Sequence, residues 1–463
     1  MAAARRHLCC SPVPRFSRSR RSFLGSSAVT ALAPWLPARA LAQPRALRVG
    51  SATQKLVGAA HPATEVWAFE GRVPGPELRF RQGERLRVEV QNALEADTTV
   101  HWHGIRLPNA MDGVPHVTQK PIAARGGRFL YEFDLPDAGT YWYHPHLGSP
   151  EQVGRGLYGA LIVEERAPPP VERDLVWVLS DWRLDREARI VENFGNPMDA
   201  SHAGRIGNTV TLNGVIPDSF AVRAGERLRL RLINASNARI YAPSFEGHRA
   251  AVVALDGQPL TAPSEARLVL GPGMRADVIL DCTGKPGSTH RVVDDFYRQR
   301  AYELVKIEYS QAAPLRDSFA PLPRLPANPL ATPDTASAQR HRIVFGGGMM
   351  GTLPSQDQHK GMFWTLNGRP VREHAHREVL LQLKLRSSYV VELVNETAWH
   401  HPVHLHGHVF RVLPHGHWAD SVLLDPRSRA EVAFVADNPG DWMLHCHVLE
   451  HQASGMMGLV RVA

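Results

Sequence analysis

Cysteine is nearly missing from this chain. Four occur in 463 residues. Cys9 and Cys10 stand in the first 42 residues, which read as a removable leader, so only Cys282 and Cys446 remain. A disulfide framework is thereby excluded, although an exported protein would permit one. The leader lacks Asp, Glu and Lys but holds Arg at positions 5, 6, 15, 18, 20, 21 and 39. Without it, the formal net charge falls from +8 to +1, with 46 Lys and Arg against 45 Asp and Glu. Nothing in that balance calls for nucleic acid or an anionic membrane surface as a partner. The moderately apolar run Phe23 to Leu36 is too short to span a bilayer as a stable helix. No membrane span is expected in the mature chain.

What the leader does contain is a signal. Ser19-Arg20-Arg21-Ser22-Phe23-Leu24 is a twin-arginine pattern, and Ala40-Leu41-Ala42 is a small-residue cleavage site before Gln43. Export to the periplasm follows as the expectation. An Arg-rich tail or a transit peptide is the competing reading.

The remaining length suits about three domains. Residues 43–166 form the first. Arg85-Leu86-Arg87-Val88-Glu89-Val90 alternates with period two, as a half-buried strand does. Ala167-Pro168-Pro169-Pro170 opens the second domain, 167–312. A Pro- and Ala-rich stretch, 313–338, links it to the third, 339–463. An alternating strand ending in Asn occurs in all three: Arg85 to Asn92, Arg227 to Asn234, and Val390 to Asn395. This faint repeat predicts an all-β chain of three related Greek-key β-sandwiches.

The chemistry sits at the end of the chain, in His445-Cys446-His447-Val448-Leu449-Glu450-His451 and Met456. Successive side chains of a strand point to opposite faces, so Cys446 faces one way and His445 and His447 the other. A thiolate, two imidazoles and a weak axial thioether make a blue-copper electron-transfer set. Cys446, His451 and Met456 supply three members, and His401 can supply the fourth. His101, His103, His144, His146, His404, His406, His445 and His447 form four further His-x-His pairs. Three coppers sharing these eight imidazoles keep open positions, as dioxygen binding requires. A lone His-x-His is a weak signal, and His-rich tracts also bind zinc. Ten His with only one Cys, however, is not what a structural zinc site needs.

These motifs resemble the multicopper oxidases, laccases and cuprous oxidases among them, over nearly the whole mature chain and in family order. The resemblance implies three cupredoxin-like domains and four copper ions. It implies His401, Cys446, His451 and axial Met456 as type 1 ligands, and His101 and His404 as type 2 ligands. His103, His144 and His447 would hold one type 3 copper, and His146, His406 and His445 the other. Met457 is the competing axial candidate. The implied activity is one-electron oxidation of a laccase-type phenolic or aromatic reductant, coupled to four-electron reduction of dioxygen to water, by a monomer. The alternatives are oxidation of Cu(I) or Fe(II) in metal tolerance and, ranked lower, a non-enzymatic copper scaffold.

Asp112 lies where bacterial relatives place an acid that assists protons at the trinuclear site; an Asp-Gly turn residue is the plain alternative. Gln452 departs from the pattern, because several relatives carry Glu there and an amide cannot relay a proton. Glu450 is expected to position the Cys446 strand. Asp420 stands where some relatives carry a substrate-side acid that could orient a phenol or a metal ion; a strand-end Asp is the equal alternative. Met349, Met350 and Met362 offer soft sulfur to Cu(I), but with no Met-rich insertion present core packing is the favoured expectation. Cys282 is expected as a buried thiol at a strand end, and the second domain to shape the substrate side.

Overall fold

The computed structural model describes residues 43–349, 351, 355–358, 360–372 and 379–463. The leader, with its twin arginines, Cys9 and Cys10, lies outside the described residues, as does Met350. The described chain is strand after strand, with only short helices between. Its six sheets pair into three cupredoxin-like sandwiches. The stretch 313–338 carries no strand or helix. It is nevertheless pinned: Asn328 exchanges hydrogen bonds with the Ala138 backbone and donates to Gln258.

The repeated strand explains the architecture. In each sandwich it runs parallel to the strand that opens the unit, ending with Val49 beside Asn92, Leu179 beside Asn234, and Phe345 beside Asn395. Each terminal Asn does the same work. Its side-chain oxygen accepts the N–H two residues on (Leu94, Ser236, Thr397), and its amide donates to two loop carbonyls, or three at Asn92. An Asn that bonds to its own loop in this way sets a tight turn. Nine and eleven residues after Asn92 come His101 and His103. The same offsets from Asn395 give His404 and His406, and from Asn234 they give Pro243 and Phe245. One turn device thus delivers a His-x-His strand in the outer sandwiches and an apolar one in the middle.

Arg227–Asn234 departs from the expected polar-out pattern. Leu228, Leu230 and Leu232 face the core, but Arg229 and Arg231 are buried as well. Arg229 pairs with Glu165 (2.7 Å) and Asp277, and Arg231 pairs with Asp174 (2.6 Å). The face that alternation assigns to solvent is an interface with the first sandwich. Buried guanidinium groups require such partners.

Candidate metal centres

Strand pairing places the motifs. His401–Leu405 runs antiparallel to Gly440–Cys446, with Val403 opposite Cys446 and His404 opposite His445. Directly opposed residues share a face. His401 and Cys446 therefore lie on one face, and His404 and His445 on the other. In the first sandwich His101 is opposite His144, and His103 opposite Trp142.

On the Cys446 face, the thiol Sγ is 3.4 Å from His401 Nδ1 and 3.6 Å from His451 Nδ1, and the two Nδ1 atoms are 3.2 Å apart. Their other ring nitrogens are committed. His451 Nε2 donates to the His202 carbonyl (2.6 Å), and His401 Nε2 to Thr397 Oγ1 (2.7 Å), whose own hydroxyl serves Asn395. Both Nδ1 atoms thus carry lone pairs and face each other with no proton between them. Such partners fix the tautomer and aim the ligand nitrogen. Burial lowers His451 to about 3 and His401 well below its ordinary value, and pushes the Cys446 thiol up. Neutral imidazoles and a thiol whose negative charge only a cation can balance fit a soft metal ion.

Register also separates the methionines. Met457 is opposite His445 and packs with Met443 and Val114, on the side away from the thiol. Met456 belongs to the core cluster that contains Cys446, and its carbonyl accepts the Cys446 N–H (3.1 Å). Met456→Leu should therefore raise the potential of the site, because an axial thioether favours Cu(II). Met457→Leu should leave it nearly unchanged, as an apolar swap of similar volume. A redox titration of the blue band decides; a larger shift at Met457 moves the axial assignment there.

On the opposite face the eight remaining histidines converge, each no more than 1% exposed. His101 Nδ1 donates to the Asp112 carbonyl, His144 to Pro145, His404 to Asp420 and His445 to Cys446, all at 2.8–2.9 Å. The Nε2 atoms of His101, His144 and His404 have no hydrogen-bond partner, nor has either nitrogen of His103 and His447. His406 Nε2 and His445 Nε2 face each other at 3.1 Å. With both Nδ1 atoms committed, these are again opposed lone pairs. Ligand atoms of His146, His406 and His445 lie within 4.8 Å of one another, as do those of His101, His103 and His144, and of His101, His404 and His406. The His103, His144 and His447 rings are 5.0–5.7 Å apart. Burial lowers the basicity of His103, His144, His404, His406, His445 and His447, keeping them neutral. Orphaned, neutral, inward-facing imidazoles of this number fit a metal cluster.

Three segments, 52–168, 173–300 and 351–463, match the multicopper oxidase family. The chain belongs to the multicopper oxidases. It is 36% identical to a multicopper oxidase from Pseudomonas thermotolerans, over 91% of this chain and 99% of that one, with a TM-score of 0.81. It is 26% identical to a laccase of Cryphonectria parasitica, over 85% of this chain and 77% of the relative. A multicopper oxidase from Campylobacter jejuni described as a metallo-oxidase is 25% identical, with 90% of each chain covered and a TM-score of 0.75. Members of the family bind four coppers, one type 1, one type 2 and two type 3, and the two buried donor sets suit that complement.

The multicopper oxidase surrounds its histidines with acids. Asp112 closes a short turn after Asn109–Met111 and is buried. Its Oδ2 accepts from His406 Nδ1 (2.8 Å), and its Oδ1, 3.2 Å from His101 Nδ1, has no hydrogen bond. Of its two readings Asp420 fits the strand-end one, between His417–Ala419 and Ser421–Leu424. It is fully buried against His103 and His404, on the eight-histidine face, and not on the substrate side. It precedes Ser421–Leu424, the strand that pairs His404 with Ser421, and this register carries it inward.

The second sandwich contributes residues that no motif announced. Arg275 grips Asp420 with two hydrogen bonds, 2.8 and 2.5 Å. Asp256 accepts the Arg275 and Ser421 N–H groups. Burial raises Asp256 to about 7, against the pull of Arg275. Burial acts on Asp420 in the same direction, but Arg275 and His404 outweigh it and hold that carboxylate low. Gly273, at φ +83°, lies so close to His447 that a Cβ would overlap the ring. The second sandwich thus walls the histidine cluster as well as bordering the Cys446 site through His202. The buried alternation around Arg275 was the available signal: Arg275–Asp281 carries three charges in seven residues, all buried.

Glu450 accepts from Arg205 N (3.0 Å) and Asn237 Nδ2 (2.9 Å), tying the turn after Cys446 to the second sandwich; burial raises it. Gln452 is buried with Oε1 unpartnered. Cys282 is a buried core thiol at a strand end, raised to about 12 by burial. Met362 is buried as expected, but Met349 is 57% exposed and does not pack in the core.

Proposed function

We propose that this multicopper oxidase is laccase-like: it takes single electrons from small phenolic or aromatic reductants beside His451 and spends them on dioxygen at the eight-histidine cluster. The carrying observation is the rim. His451 Nε2 bonds to the His202 carbonyl, and the half-buried His202 and Trp399 rings meet edge to face at 5.8 Å. Trp364 lies under both Trp399 and His451. Aromatic side chains at the mouth of an electron-entry site suit flat, electron-rich substrates.

When bound, the type 1 copper accepts one electron at a time and the trinuclear cluster supplies the four-electron reduction of dioxygen to water. In this reading His401, Cys446, His451 and Met456 hold the first. His101 and His404 hold the type 2 ion, and the other six histidines the type 3 pair. Cys446 joins His445 and His447 through its own backbone, the shortest covalent bridge between the two donor sets. Burial of all twelve residues excludes water. Asp112 orients His101 and His406 and offers Oδ1 as a proton-carrying atom. The chain acts as a monomer on diffusible reductants.

One observation favours a metal-ion reductant instead. Met198 (62% exposed) and Met349 (57%) are exposed methionines whose backbones adjoin His202: the Met198 carbonyl lies 3.0 Å from His202 Nδ1, and the Met349 N–H donates to the Ser201 carbonyl (3.0 Å). Thioethers select Cu(I). Steady-state kinetics on a phenol, Cu(I) and Fe(II) should favour the phenol. Met198→Leu with Met349→Leu should leave phenol turnover intact. Faster Cu(I) turnover, lost in the double variant, reverses the assignment.

Export by the twin-arginine route is the companion proposal. It rests on Arg20 and Arg21 ahead of an apolar run and a small-residue cleavage site. Arg20→Lys with Arg21→Lys should strand the precursor in the cytoplasm; an unchanged periplasmic yield removes the proposal.

A further inference from the structure

We infer that Arg275, from the second sandwich, is a positioning residue for the dioxygen-reducing cluster: it holds Asp420 where that one residue supports an imidazole from each of the other two sandwiches. His103 and His404 come from different sandwiches, yet their rings stack at 3.7 Å, 14° from parallel. Asp420 lies at the edge of this stack. Its Oδ1 is 3.3 Å from His103 Nε2 and 3.2 Å from His404 Nδ1, and its carbonyl accepts from His404 Nδ1 at 2.9 Å. His103 makes no hydrogen bond, and the Asp420 carboxylate, 3.3 Å from its Nε2, is the acid placed against it.

A buried carboxylate serving two rings needs fixing from behind, because each ring alone could draw it aside. Arg275 provides this through a two-pronged contact, Nη1 to Oδ1 and Nη2 to Oδ2, and Ser421 Oγ adds a third bond at 2.8 Å. Guanidinium matches carboxylate geometry in a way that an ammonium does not. Arg275 is itself held from all sides. Nε donates to Thr140 O (3.2 Å), Nη1 to Gly273 O (3.1 Å), Asp256 sits 3.3 Å from Nη1, and the Tyr141 ring lies beneath at 5.9 Å. Both side chains of the pair are fully buried, at 0% exposure. The first sandwich leaves room for it at Gly104, φ +88°, where a Cβ would overlap both the guanidinium and the carboxylate. Three sandwiches therefore meet at one ion pair, and the pair meets the cluster at His103 and His404.

Partners that orient ligand histidines typically govern metal affinity or activity by about 10- to 100-fold. In copper-loaded protein, Arg275→Met and Arg275→Lys should weaken retention of the trinuclear coppers against a chelator by about 10-fold or more. Both should change the type 2 electron paramagnetic resonance signal and raise KM for dioxygen. The Lys variant should fall between wild type and Met. The blue band, on the other face of the sheet, should not change. Removing Arg275 alone leaves Asp256 and Asp420 uncompensated, so Arg275→Met with Asp420→Asn is the control. If Arg275→Met does not fold, Arg275→Lys and the double variant decide. The double variant should keep the altered type 2 signal, because the carboxylate support is gone. Its return to the wild-type signal would mean that stray charge was the fault, and the inference fails. It fails equally if the Lys variant matches wild type in copper retention and type 2 signal, or if blue and trinuclear coppers are lost together.

Discussion

Cys446→Ser should erase the intense blue colour and the oxidase activity while leaving the cluster coppers bound. The colour of such a site comes from a thiolate on copper, and a hydroxyl is neither soft nor readily ionised. Sγ closes a triangle with two Nδ1 atoms at 3.4 and 3.6 Å. The Val448 N–H also points at Sγ (3.4 Å) and would steady a thiolate there. No second thiol stands in reserve among the described residues: Cys282 is in the core of the second sandwich, beside Tyr309. The cluster should survive, because its eight imidazoles lie on the other face and the Nδ1 partners of His101, His144, His404, His406 and His445 are untouched. Absorption and a copper count on one preparation test this. A variant that stays blue shows that the thiolate site lies elsewhere.

Asp112→Asn should slow turnover by about 10²-fold or more, the usual scale for a lost acid–base group. Dioxygen reduction consumes four protons, and they must reach a cluster enclosed between sandwiches. Asp112 bridges the two sides. Its carbonyl holds His101 of the first sandwich, and its Oδ2 holds His406 of the third. Oδ1 has no hydrogen bond and lies 3.2 Å from His101 Nδ1. Asparagine keeps the shape and can still accept from His406, so positioning persists while proton exchange is lost. Blue colour and reduction by substrate should therefore remain, with only reoxidation slowed. Stopped-flow mixing of the reduced enzyme with dioxygen separates the steps. Reoxidation at the wild-type rate from mildly acidic to mildly basic pH would make Asp112 a turn residue alone. The buried Gln452 cannot substitute, since an amide does not exchange its proton in this way.

Asp420 shows where reading along the chain stops. Its neighbours Trp418, Ala419 and Ser421 say only that a strand is near. Whether the carboxylate meets substrate or histidine depends on the partner of Ser421–Leu424, and the pairing of His404 with Ser421 turns it inward. Met456 and Met457 are adjacent and chemically identical, and one residue of register separates the thiol face from the cluster face. Met349 needed the surface itself to be known before its exposure could be seen.

The residues that the sequence by itself determined are those whose meaning is local. A strand alternates every residue, so His-x-His and His-Cys-His declare which side chains share a face, whatever the sheet does next. Asn92, Asn234 and Asn395 likewise carry their turn within a few bonds, and this made the three-fold repeat and the all-β class visible. Only the tertiary structure decided the partnerships across sandwiches: Arg275 with Asp420, Glu450 with Arg205 and Asn237, and Arg229 with Glu165. Each is a buried charge whose cost is met only by a group far away in the chain. No periodicity or spacing encodes such a pair, because the distance between its members is set by how whole sheets pack.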